Sequence, residues 1–167
     1  DFEGYKIYRS TDPSFTDLKP ITDGYGSVAY REPIAQFDLD NDIFGFAEQS
    51  ASGVHFWLGN DTGIRHYYID TTVVNGYRYF YAVTSYDRGS AHPVLPDTLG
   101  IDPAECSKFV AVQSSGEIEK GANIAIVRPE ARAAGYTPAD FEDSEIVPSV
   151  NNTASGTVDY NIVVPSD

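Results

Sequence analysis

Three carboxylates at alternate positions, Asp38, Asp40 and Asp42 in Phe37-Asp38-Leu39-Asp40-Asn41-Asp42-Ile43, form the sharpest chemical motif in the chain. A hard cation such as Ca²⁺ takes roughly six to eight oxygen ligands, and Asp-x-Asp-x-Asp is a compact source of them. The helix-loop-helix Ca²⁺ pattern also needs Gly at its sixth loop position and Glu at its twelfth. Here Ile43 and Gln49 stand at those places. Phe37, Leu39 and Ile43 alternate with the carboxylates, so the same residues also read as a plain strand with a solvated acidic face. Like charges on one strand face repel, and a cation would relieve that repulsion. A Ca²⁺ site and an acidic strand both remain open, and no other cofactor is indicated.

The remaining reactive side chains carry weaker patterns. His55, His66 and His92 lack metal-ligand spacing such as His-Glu-x-x-His and read as strand-surface or turn residues. Cys106 is the single cysteine, so no intrachain disulfide forms, and its place beside an apolar run reads as a small buried side chain. Gly24-Tyr25-Gly26-Ser27 does not make the Gly-x-Ser-x-Gly elbow of hydrolases, and no Gly-rich run matches a phosphate loop. Trp57 follows Val54-His55-Phe56, so one of Phe56 and Trp57 faces outward from a sheet. An outward Trp57 could stack on a sugar ring, whereas an inward one packs the core. Asn60-Asp61-Thr62 reads as a loop whose Asn and Asp bond their own backbone. That triplet and Asn151-Asn152-Thr153 also fit the weak N-glycosylation pattern.

Charge narrows the partners. With 25 acidic against 11 basic residues the net charge is −14, which repels phosphate backbones and anionic membranes. Nucleic acid is therefore not an expected partner, and no apolar run is long enough to suggest membrane insertion. Apolar residues make up 41% of the 167 and aromatics 13%, enough to bury a core. The chain begins at Asp1 and contains no Met, which reads as the processed or observed piece of a longer one.

The elements that must position these residues are strands. Period-two alternation marks Tyr5 to Arg9, Gly53 to Leu58, His66 to Asp70, Tyr77 to Tyr86, Ser107 to Val112, Ala122 to Val127 and Thr157 to Val164, while no stretch sustains a helical apolar period. Turn signals fall between them, among them Asn75-Gly76 and Ser114-Ser115-Gly116, the former read as a tight link between antiparallel neighbours. From Arg128 to Val150 the composition shifts to Pro, Ala, Asp and Glu, as in a linker or arm. Residues 151–167 then hold one alternating run, with Val158, Tyr160, Ile162 and Val164 on one side. A lone strand is unstable, so this run is expected to join a sheet elsewhere, as a complementing strand or as the first strand of a following domain.

Two stretches carry a family resemblance. Gly4-Tyr5-Lys6-Ile7-Tyr8-Arg9-Ser10 resembles the third strand of fibronectin type III modules, and Val73-Val74-Asn75-Gly76-Tyr77-Arg78-Tyr79-Phe80-Tyr81-Ala82-Val83 resembles the turn into their sixth strand. The resemblance implies an all-β, antiparallel immunoglobulin-like β-sandwich over residues 1–127, with a long insertion at about 12–63. It implies a tyrosine corner built on Val73 and Tyr79. Tyr79, Tyr81, Val83 and Ser85 would face inward, Phe80, Ala82 and Thr84 outward, and Ser107 to Val112 would be the last strand. The family's first two strands lack counterparts here, which leaves an edge and a core face to be filled. The whole is similar to modules of large secreted bacterial surface proteins. It implies a non-catalytic structural or adhesive part, extracellular or at the cell surface, whose partners are other copies of itself or neighbouring domains. Filament or layer assembly by strand complementation through Val158, Tyr160, Ile162 and Val164 fits that picture. The rival expectation is a carbohydrate-binding accessory module of a secreted hydrolase, with Trp57 as its stacking residue.

Overall fold

Two nine-residue runs rich in Tyr, Phe, Ile and Val form the longest strands, β1 (Phe2–Ser10) and β7 (Tyr79–Asp87). Such side chains favour pleated backbone because their flat or branched bulk packs across a sheet. The computed structural model describes residues 2–50, 53–91 and 100–135. In it the two strands pair antiparallel and are flanked by β4 (Ala35–Asp38) on β1 and β10 (Ile124–Val127) on β7, giving the order β10-β7-β1-β4. Three antiparallel pairs complete the architecture: β2 (Pro20–Thr22) with β3 (Val28–Arg31), β5 (Gly45–Phe46) with β6 (Trp57–Gly59), and β8 (Val110–Val112) with β9 (Ile118–Lys120). No helix occurs among the described residues, and the fold is all-β. The chain divides into two compact units, Asp1–Ala131 and Arg132–Asp167, and the ten strands found among the described residues lie in the first. Thr157 to Val164 lies outside the described residues.

The register places Lys6 beside Thr84, Tyr8 beside Ala82 and Ser10 beside Phe80, so these six side chains share one face of the main sheet. That face is buried. Phe15 and Leu18 cover Tyr8, Phe80, Ala82 and Ile124 in one apolar cluster, and Ala47, Phe56 and Leu58 gather around Tyr86 in a second. Burial of this kind contributes about 25 cal/mol per Å² of apolar surface and is the main force holding the segments around Phe15, Leu18, Ala47 and Phe56 on the sheet. Gly4 belongs to this packing. A Cβ there would lie 2.6 Å from the Tyr86 hydroxyl and 2.4 Å from the Phe37 carbonyl oxygen, so the phenol crosses Gly4 only because no side chain stands in its way.

Several expectations are corrected. The face of β7 packed in the core is the one bearing Phe80, Ala82, Thr84 and Tyr86; of the residues expected inward Tyr79 is buried, Tyr81 and Ser85 are half-buried and Val83 is 43% exposed. The long insertion covers the face that sequence pattern had assigned outward. Ser107 to Val112 is not the neighbour of β7: β10 takes that place, and only Val110–Val112 forms a strand, in a hairpin with β9 across Gly116. Gly53 to Leu58 is largely irregular, with β6 starting at Trp57. His66 to Asp70 makes no ladder, so Asn75-Gly76 does not join two strands. It forms a turn closed by the Tyr77 amide on the Val74 carbonyl. Cys106 is exposed, its sulfur accepting from the Ser85 amide at 3.3 Å.

Candidate binding surfaces

The alternate residues of the central strands point to the other face of the sheet. Ile7 sits beside Val83, and Ala125 beside Tyr81. With Tyr5, Phe37 and Val127 they line a groove of about 630 Å³. Its far wall is the segment from Arg65 to Asp70, where the Tyr68 ring stacks toward Phe37 at 6.5 Å and the Arg65 guanidinium lies 5.8 Å from the same ring.

Two carboxylates pin this wall at its ends. The buried Asp38 accepts from the Thr62 amide at 3.0 Å, the Thr62 hydroxyl at 2.6 Å and the Asp61 amide at 2.5 Å, fixing the loop before the wall. Gly59 makes room, because a Cβ there would fall 2.2 Å from Asp38 Oδ2. After the wall, Asp70 accepts from Arg9 Nη1 at 2.7 Å and the Tyr81 hydroxyl at 2.8 Å on the sheet, and from the Thr72 amide and hydroxyl at 2.9 and 2.7 Å. Burial alone would raise the Asp70 carboxyl, but the hydrogen bonds from Thr72, Tyr81 and Arg9 hold it at about 2. Burial and the Asp70 charge together push the Tyr81 phenol up to about 12. Next along the chain, the Val74 amide donates to the Tyr79 hydroxyl at 2.9 Å, and Val73 lines the groove.

The three aspartates of the acidic motif do not converge. Asp38 is taken up by the loop it holds, while Asp40 and Asp42 are exposed. Among the described residues, no group of three or more His, Cys, Asp or Glu is placed to hold a metal ion. His55 Nδ1 lies 2.7 Å from the Ala47 carbonyl oxygen, His66 lines the sheet groove, and His92 lies outside the described residues.

A second groove, of about 800 Å³, runs between the β2–β3 and β5–β6 hairpins. Phe56 is buried at its floor and Trp57, 37% exposed, meets Phe46 edge-on at 4.8 Å. Asp23, Glu32, Gln36 and His55 line it alongside these rings. Beneath it lies a buried polar knot. The Lys6 ammonium is 2.8 Å from Glu105 and 3.6 Å from the centre of the Phe56 ring, and the Tyr8 hydroxyl donates to Glu105 at 2.9 Å. Burial pulls the Lys6 amine below the ordinary lysine value, with Glu105 opposing the shift, and burial followed by Glu105 pushes the Tyr8 phenol up.

No protein family, curated protein or solved structure matches the chain.

Sequence pattern finds Trp57 but not its partner Phe46, because a Phe in a two-residue strand leaves no alternation to read. It also misses Arg9, Asp70 and Tyr81 as one unit, since their contacts span up to 61 residues of chain. The Asp-Thr-Thr triplet after Ile69 is the local signal, a carboxylate followed at two residues by a hydroxyl that closes onto it.

Proposed function

We propose that this chain is a non-catalytic, fibronectin-III-like structural module of a secreted or cell-surface protein, joined to its neighbours through the open apolar face of its main sheet. That face carries the reading. A sheet is stable when both faces are covered or one is polar, and here Ile7, Val83, Ala125 and Val127 present an apolar surface across three adjacent strands. Apolar patches of this kind mark association surfaces. The ionisable groups beside both grooves support a structural role: Arg9, Asp70 and Tyr81 bond one another, as do Lys6, Tyr8 and Glu105. Sedimentation velocity on the full chain and on Val83→Asp tests it. The wild type is expected to associate and the variant to sediment as a monomer with unchanged thermal stability. Identical sedimentation of the two overturns the reading.

The exposed Trp57–Phe46 pair favours a second reading, a carbohydrate-binding accessory module of a secreted hydrolase, because an aromatic platform flanked by carboxylate, amide and imidazole groups suits a sugar ring. Trp57 is the only tryptophan in the chain, so its emission reports this groove directly. Titration with cellohexaose, chitohexaose and mannohexaose decides: a saturable shift lost in Phe46→Ala supports the second reading, and unchanged emission with all three removes it.

A further inference from the structure

The sheet groove has an apolar floor and a cationic rim. Ile7, Val83, Ala125 and Val127 form the floor. The one carboxylate described in its lining, Asp70, is bonded to Arg9, whereas the Arg65 guanidinium forms no ion pair among the described residues. In a chain of net charge −14, a cation left over on the edge of an apolar groove selects an occupant that brings both apolar surface and a carboxylate.

The segment 40–48, from the end of β4 through β5, has the complementary character. Phe44 and Phe46 are 65% and 66% exposed. Asp40, Asp42 and Glu48 beside them are exposed as well, and none is in an ion pair among the described residues. Left-handed backbone at Asp42 and Gly45, with φ of 63° and 84°, turns the chain on both sides of Phe44. Ile43 and Ala47 anchor the segment, packing with Phe56, Leu58 and Tyr86 on the core side of the main sheet. The groove opens on the other side of that sheet, over Ile7 and Val83.

Resting on the reading that this face joins copies, we propose that its occupant is the segment 40–48 of a second copy, with the Phe44 ring set on Ile7 and Val83 and the neighbouring carboxylates facing Arg65. Two independent features match: an exposed aromatic ring meets an apolar floor, and carboxylates without a cation meet a cation without a carboxylate. The charges orient the contact, and the ring supplies most of its hold. Knob and groove are different surfaces on opposite sides of the sheet, so each copy gives one and accepts the other. Such a contact is heterologous and extends head to tail.

The experiment uses the full chain as wild type, as Val83→Asp with a blocked groove, as Phe44→Ser with the knob removed at unchanged net charge, and as Arg65→Glu with a reversed rim. In sedimentation velocity the wild type is expected to form a concentration-dependent series of oligomers. Val83→Asp and Phe44→Ser are expected to stay monomeric at about ten times the concentration that assembles half of the wild type. Arg65→Glu sets a carboxylate against carboxylates and is expected to weaken assembly about tenfold. Mixing Val83→Asp with Phe44→Ser is expected to give heterodimers and nothing larger, since the first keeps a working knob and the second a working groove. Thermal melts check that each variant is folded, and Val127→Asp replaces Val83→Asp if the latter is not. If Phe44→Ser assembles like the wild type while Val83→Asp does not, the occupant is another surface: the proposal falls and the reading of the face survives. Unchanged assembly of Arg65→Glu, or a mixture that stays monomeric, also overturns the proposal. Assembly of Val83→Asp equal to wild type, or a wild type that is monomeric throughout, removes both.

Discussion

Replacing Asp70 with Asn removes the negative charge that ties the groove wall to Arg9 and Tyr81. The variant keeps one oxygen for Thr72 but turns an amide donor toward the guanidinium, so two donors meet where an ion pair stood. The Asp70 side chain is 8% exposed in that pair, so solvent screens it little. A carboxyl held at about 2 instead of 3.8 contributes about 2 kcal/mol to folding. The sign follows from the direction of the shift. Because the folded-state value lies below the unfolded one, the stabilisation is complete above about pH 4 and is lost as pH falls through about 2. Urea unfolding at pH 7 is therefore expected to show the Asn variant denaturing about 1 M earlier at unchanged slope. Repeated between pH 4 and pH 2, the gap should close as the wild-type carboxyl takes up its proton. A gap that persists undiminished at pH 2, or one under about 0.5 kcal/mol at pH 7, refutes the assignment of Asp70 as a charged staple.

Gly4→Ala is expected to destabilise the fold by about 1–3 kcal/mol in urea unfolding, since the new methyl would overlap both the Tyr86 phenol and the Phe37 carbonyl. Asp38→Ala strands the Asp61 and Thr62 amides and should cost about 2–4 kcal/mol by the same assay, with faster amide exchange at residues 60–63. EDTA is expected to leave the wild-type melting temperature unchanged, because the Asp38 oxygens already accept from those amides and do not converge with exposed Asp40 and Asp42. Glu105→Gln leaves the Lys6 ammonium buried against Phe56 without its counter-charge and is expected to cost about 3–5 kcal/mol, whereas joint replacement of Lys6 by Met and Glu105 by Leu should cost markedly less.

The strands that alternate over many residues were legible in sequence because burial of one face imposes a period of two, which β1 shows from Gly4 to Ser10 and β7 from Phe80 to Asp87. Which face is buried was not legible. Tyr79, Tyr81 and Val83 are as apolar as Phe80, Ala82 and Tyr86, so alternation fixes the two sets but not their environments. The deciding contacts come from Phe15, Leu18, Phe56 and Leu58, residues of irregular loops and short strands with no period to read. Ser107 to Val112 misled for the opposite reason. Its alternation is genuine, but hairpin pairing with Ile118–Lys120 satisfies it locally and leaves the place beside β7 to Ile124–Val127. The acidic motif was visible as a cluster of charges. Its use was not, because the groups that Asp38 holds are backbone amides more than twenty residues away.

The polar chemistry of this fold is turned inward, and its apolar chemistry is partly turned outward. Asp38, Asp70 and Glu105 each accept several hydrogen bonds from loops or strands distant in sequence, so these carboxylates serve to hold irregular chain against the sheet. The parts of residues 12–58 on either side of β4 can then cover one face with no regular secondary structure beyond short two-stranded pairs among the described residues. The wall at residues 64–70 is held over the other face by the same device but covers it incompletely, because it is one segment wide and the sheet beneath is four strands wide. A net charge of −14 makes copies of such a molecule repel one another even with Val83 and Val127 exposed. That repulsion acts over roughly a Debye length, about 8 Å at physiological salt, whereas apolar contact in a groove acts at touching distance. Any association through this face is therefore expected to strengthen with added salt, because screening relieves the repulsion while apolar contact over Ile7, Val83 and Val127 is unaffected.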